Sequence, residues 1–353
     1  MNRILDTAEM EKLLTLVEEA ARSTEEGVKH FVEPAPGTLQ RTTNKRHHIV
    51  FGRRGSGKSS LLRKAASDLT VDRRPIASVN LEAFKGHSYP DVLISVLIST
   101  FVEFRKWMDT AAVHPSTRTT FWKKLFGTSP KRSSFNRKRS AALSAQFRTQ
   151  IETLEKELHR ADDAALRVTD GTEASDSDSV GVKVKAKSPV AGMEGEASAA
   201  SSRTAKQEVE ETFKRSKTDF LHRHILDYQR LFVELSELSG GDAYLFLDDL
   251  YHIRRADQAR VLDYFHRLGK DHRLWLKVGT IRHRTNWYVH GDPPIGMKIA
   301  DDADEIDLVL TLEKYVLAKT FLIKVLTNFA VSAGVGKPDS FLTRSEERRV
   351  GKE

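Results

Sequence analysis

The segment Gly52-Arg53-Arg54-Gly55-Ser56-Gly57-Lys58-Ser59 constrains this chain more than any other. It fits G-x-x-x-x-G-K-[ST] at every fixed position. That pattern belongs in a turn joining a strand to a helix, and its neighbours supply both. His47-His48-Ile49-Val50-Phe51 reads as a short buried strand, and Ser60 to Ala66 as the start of a helix. Glycines let backbone N–H groups curl around a phosphate, and the helix N-terminus adds its partial positive charge. In such a loop Lys58 reaches the β- and γ-phosphates and the Ser59 hydroxyl ligates Mg²⁺. Gly52, Arg53, Arg54, Gly55, Ser56, Gly57 and Ser60 complete the cradle.

A second signal lies far downstream. Ala243-Tyr244-Leu245-Phe246-Leu247 is an apolar strand ending in Asp248-Asp249. In a phosphate-loop protein such a strand is expected beside the phosphate-loop strand, with its terminal carboxylate aimed at the metal. Asp248 is then placed to hold Mg²⁺ with Ser59, and Asp249 to orient or deprotonate the attacking water. One helix later, the strand Leu274 to Ile281 carries Thr280 near its end, followed by Arg282-His283-Arg284.

Together, Gly52 to Ser59, Leu245 to Asp249 and Leu274 to Ile281 resemble the additional-strand branch of P-loop ATPases. That branch comprises AAA+ proteins and the related signal-transduction (STAND) ATPases, and the initiator-like, origin-recognition type is nearest. The resemblance covers about Phe31 to Thr110 and Phe220 to Ala333. It implies ATP as ligand, Mg²⁺ as cofactor, and Thr280 as a polar sensor beside the γ-phosphate. It also implies a role for one of Arg282, His283 and Arg284 in touching phosphate, with Arg282 as the candidate finger. A double Asp, in place of Asp-Glu, leans toward the signal-transduction relatives and away from robust motors.

Strands alternating with helices imply an α/β fold, a parallel sheet with helices on both faces. The boundaries read as an N-terminal helix over 1–29 and a first half of the core over 30–110. An insertion over 111–214 follows, then a second half over 215–312 and the first helix of a helical lid over 313–343. The insertion holds a basic, aromatic-interleaved stretch from Lys123 to Arg139, suited to nucleic-acid backbone such as DNA or to an anionic membrane surface. Behind it, Leu143, Phe147, Ile151, Leu154 and Leu158 recur at coiled-coil spacing, suited to a protein partner or a second copy. From Thr169 to Ala205 the chain is poor in large apolar residues and is expected to be disordered.

Composition sets the remaining bounds. An apolar fraction of 39% beside 30% charged residues fits a normal core diluted by solvated segments. The absence of cysteine excludes a disulfide framework and any thiolate metal site. No secretory h-region and no apolar run long enough to cross a bilayer is evident, so a soluble, cytoplasmic protein is expected. Arg344 to Glu353 reads as the in-frame translation of a sequencing adapter, which places a truncation after about Thr343. That tail contributes only +1 of the formal charge of +8. His222 and His224 are two apart on a helix, a poor metal pair. Tyr251-His252 and Trp287-Tyr288 read as packing groups, and Mg²⁺ is the one metal the sequence supports.

Overall fold

The computed structural model describes residues 8–20, 26–113, 136–173 and 194–334. The elements before the glycine-rich loop at 52–57 are α1 (Ala8–Ala20), α2 (Thr38–Thr43) and β1 (His48–Phe51). Next come α3 (Lys58–Val71), β2 (Ile76–Asn80) and α4 (Asp91–Val113). Two long helices follow, α5 (Arg137–Glu173) and α6 (Glu194–Ser239), then β3 (Ala243–Asp248), α7 (Arg255–Gly269) and β4 (Leu274–Thr280). A small antiparallel pair, β5 (Tyr288–Val289) and β6 (Ile295–Gly296), precedes β7 (Asp304–Asp307). The described chain closes with α8 (Leu308–Glu313) and α9 (Tyr315–Ala333).

Five strands form one parallel sheet in the order β2-β3-β4-β1-β7. The expected α/β architecture is therefore present, with helices on both faces. Alternation along each strand divides the core. Ile49, Phe51, Leu245, Leu247, Leu276 and Val278 face α4, α5, α6 and α7, whereas Val50, Tyr244, Phe246 and Ile306 face α3. Burial on both faces explains why these strands read as continuous apolar runs.

Four differences from the sequence reading matter. First, β3 is not beside β1, because β4 lies between them. Second, the chain's own helices cover the seam reserved for a partner. Leu143, Phe147, Ile151 and Leu154 are buried in the main core, and Leu158 packs against it. Third, α6 begins at Glu194, inside the span expected to be disordered; the alanine and glutamate of that stretch favour helix. Fourth, Ile306 to Leu310 reads in sequence as a short final strand, but the strand ends at Asp307 and Leu308 to Leu310 are helical. The Asp307 carboxylate accepts the Val309 N–H at 2.8 Å and so caps the start of α8.

Contrary to the expectation of no membrane-length apolar run, α9 has the length and composition of a membrane-crossing helix. Lys319 and Lys324 interrupt the run in sequence without lowering the average enough. Within the described residues α9 lies against α1 and leaves Tyr315, Val316 and Val331 mostly exposed. Lys123 to Phe135, and residues 344–353, lie outside the described residues. Of the basic stretch, Arg137, Lys138 and Arg139 open α5, where Arg139 pairs with Glu237.

Candidate functional site

Parallel strands bring their carboxyl ends to one edge, and the loop Gly52–Gly57 sits there, between β1 and α3. Gly52 donates its N–H to the Thr280 carbonyl at 3.1 Å, which ties the loop to β4. A side chain at Gly52 would collide with Ser56 Oγ and lie 2.8 Å from Lys58 Cγ, so only glycine fits. Gly55 and Gly57 adopt φ of 80° and 85°, a region other residues enter at a cost. Gly57 is the N-cap of α3 and supplies no side-chain cap, which leaves the first N–H groups of the helix available to an anion. Ser56 Oγ is buried without a hydrogen-bond partner, an orphaned polar atom inside the curl.

Lys58 is buried, and its ammonium donates to the Arg53 carbonyl at 3.3 Å. Burial pulls its pKa below the ordinary lysine value, while the charges of Asp249 and Asp248 push it back up. Both carboxylates of the acidic pair therefore act on the loop lysine, although the two segments are distant in sequence. Asp248 reaches across β4 because Gly279 stands in its path without a side chain. A Cβ there would collide with Asp248 Oδ1 and come within 2.8 Å of Leu62. Register confirms the geometry: Gly279 pairs with Val50 of β1, and Val278 with Leu247 of β3. The intervening strand thus does not screen Asp248 from the loop.

Asp249 follows in the left-handed region with φ 58°, its N–H donating to Asp248 Oδ1 at 2.9 Å. Burial raises its carboxyl pKa, the neighbouring Asp248 charge adds to the rise, and Lys58 opposes it. Glu82, from the turn after β2, and His252, from the turn after Asp249, stand beside that carboxylate.

Two residues expected at the phosphate are committed elsewhere. Thr280 is fully buried and its hydroxyl is paired with that of Thr285, which donates to the Ile281 carbonyl at 2.8 Å. Arg282 binds Glu305 at 2.8 Å and Asp307 at 3.0 Å, with its guanidinium 4.1 Å from the Phe51 ring centre. His283 and Arg284 are exposed. Trp287 packs on Phe51, as a packing group should. Arg53 and Arg54 are exposed at the rim of the loop, and Ser59 and Ser60 are half-buried in the first turn of α3.

One cleft opens on the loop and another lies farther along α3. The first, of about 430 Å³, runs from Gly52 and Arg53 to Arg282, Glu305 and Asp307. The other, about 680 Å³, lies along α3 toward β2 and is bordered by Asn80, Phe246 and Asp248. Sequence inspection missed Gly279 and Glu82, and read His252 only as a packing group. A glycine inside a strand pattern is a signal of close approach and would have exposed the first; the other two carry no local motif. No protein-family profile matches the chain, and neither a curated protein nor a solved structure matches it.

Proposed function

We propose that this chain is an ATP-binding P-loop ATPase of the AAA+/STAND kind, coupling Mg²⁺-dependent hydrolysis to a conformational change felt by a macromolecular partner. One observation carries the reading: the Gly52–Ser59 curl closes on an uncapped helix start while Asp248 and Asp249 act on the same lysine. The orphaned Ser56 hydroxyl and the glycine-only position at Gly52 fit a group that supplies hydrogen-bond acceptors and approaches the backbone closely.

The roles follow from chemistry. The N–H groups at the start of α3 and the Lys58 ammonium bind the phosphates of ATP. Ser59 and Asp248 would hold Mg²⁺, which when bound neutralises charge on the phosphates. Asp249 holds the attacking water by accepting its proton, and its upward-shifted pKa makes it a stronger base than an ordinary aspartate.

A second reading has its own support. Thr280 and Arg282 are engaged by Thr285, Glu305 and Asp307, which removes two groups expected to assist turnover. It describes a nucleotide-gated switch that holds ATP with negligible hydrolysis. Measuring ATP affinity and hydrolysis with Mg²⁺ for wild type, Lys58→Ala and Asp249→Asn separates the two. For the ATPase, Asp249→Asn keeps affinity and loses turnover by roughly 10²–10⁴-fold. For the switch, wild type and Asp249→Asn alike stay near background while binding remains Lys58-dependent. Lys58-independent binding, or none, removes both readings. Stimulation by DNA would assign the Lys123–Arg139 stretch to nucleic acid.

A further inference from the structure

Three ligand-bearing side chains converge beside the phosphate loop without belonging to it. Glu82 comes from the turn Leu81–Phe84 after β2, Asp249 from the end of β3, and His252 from the turn Leu250–His252. One donor atom of each lies within 4.8 Å of the other two, and His252 Nε2 is 3.9 Å from Glu82 Oε1. We propose that Glu82, Asp249 and His252 form a three-ligand site for a divalent transition-metal ion, distinct from the Ser59–Asp248 pair.

The parallel register makes the convergence inevitable. Asn80 pairs with Asp248, so the residues just past each strand emerge side by side. Each contributor is then fixed through its backbone. Asn80 Oδ1 accepts the Glu82 N–H at 3.0 Å, Asp248 Oδ1 accepts the Asp249 N–H at 2.9 Å, and the Asp249 carbonyl accepts the His252 N–H at 3.0 Å. Among the described residues, the Glu82 and Asp249 carboxylates receive no hydrogen bond, and His252 is too distant from Glu82 to give one. Two carboxylates and an imidazole nitrogen brought this close form a donor set matched to a dication. Donor type sets the class of ion. All-oxygen sets suit Mg²⁺ and Ca²⁺, whereas an imidazole beside two carboxylates suits Mn²⁺, Fe²⁺ or Zn²⁺. Three protein ligands leave positions open for water.

The site shares Asp249 with the proposed hydrolytic centre, so a bound ion and the attacking water would compete for that carboxylate; the proposal goes beyond that reading and is tested without nucleotide. Full-length, EDTA-stripped protein is titrated with Zn²⁺ and with Mn²⁺ by calorimetry. The expected result is one ion per chain for wild type and for Ser59→Ala. His252→Ala and Glu82→Gln should each weaken that binding at least ~10-fold, as loss of a direct ligand must exceed loss of an outer-sphere contact. Glu82 is 59% exposed, so Glu82→Gln should fold even if His252→Ala does not, and metal-free melting curves establish this. Wild type without stoichiometric binding, or unchanged affinity in the folded variants, would overturn the site. Neither outcome bears on Lys58-dependent ATP binding.

Discussion

At the scale of single residues, Gly279 decides whether the acidic pair reaches the loop at all. Gly279→Ala places a methyl against Asp248 and Leu62, an overpacked contact that costs about 1–3 kcal/mol. On the proposed ATPase reading, displacing Asp248 by about an ångström should also lower turnover on the order of a hundredfold. Melting and ATP hydrolysis of the variant check both, and wild-type values for both would sink the account of Asp248. A buried polar cluster at the opposite strand ends makes a separate prediction. Lys277, with no exposed surface, donates to the carbonyls of Asn44 and Arg46 at 2.7 Å each and to His48 Nδ1 at 2.9 Å. His47 Nδ1 accepts the Leu276 N–H at 3.1 Å. Burial, with nearby positive charge, pulls both histidines to about 3, and burial pulls Lys277 to about 7. Each group binds its proton less readily folded than unfolded, so stability rises with pH through both windows. The histidines act from about 3 to about 6.5, and Lys277 from about 7 to about 10.4. His47→Asn and His48→Asn keep an acceptor and remove the charge, and should flatten the rise below pH 6.5. Lys277→Met should flatten the rise above pH 7. Denaturant midpoints at pH 5, 7 and 9 test this, and unchanged slopes would refute it.

At the scale of elements, α5 is the informative case. Phe147 meets Phe101 at 5.3 Å, Phe104 at 6.4 Å and Phe232 at 6.4 Å between ring centres, wholly out of solvent. Phe147→Ala should therefore cost about 3–5 kcal/mol in denaturant titration. A cost near zero would mean that the seam faces a partner, as its heptad spacing alone suggests. Spacing of apolar residues reports that a helix face is buried, not which chain buries it. Legibility in the sequence followed how local each cause is. The β1–loop–α3 unit was readable because glycine placement, lysine and strand lie within a few residues. The apolar run into Asp248-Asp249 was readable for the same reason. The position of β4 between β1 and β3 was not, because pairing order depends on contacts across the whole chain. The stop at Asp307 was readable only from a cap whose acceptor role is clear once Val309 is placed. Glu82 and His252 had no local signature; the register of β2 on β3 alone unites them.

At the scale of the whole molecule, the long helices are part of the core and not an appendage to it. The cluster on one sheet face runs without a break from Ile49 and Leu245 through α4 to Leu143 and Phe147 of α5 and Phe232 of α6. A buried lysine reinforces this joint. Lys217 of α6 donates to Asp91 of α4 at 2.9 Å and to the Leu158 carbonyl of α5 at 2.8 Å. Removing surface shared between helices and sheet should therefore weaken both together, since cooperative units follow contiguous packing. Hydrogen exchange makes the prediction specific. Amides of Leu143 to Leu154 should be protected to the same degree as those of β3 and β4, and Phe147→Ala should lower protection in all three segments by a similar factor. Fast exchange confined to α5, with β3 and β4 unmoved by the substitution, would instead make the helices a separately folding arm. In that event a nucleotide-driven movement would pivot between arm and sheet. If the segments exchange as one, the helices move only with the sheet, and a signal from the nucleotide site proposed here would have to leave through elements outside this core, with α8 and α9 beyond β7 the first to examine.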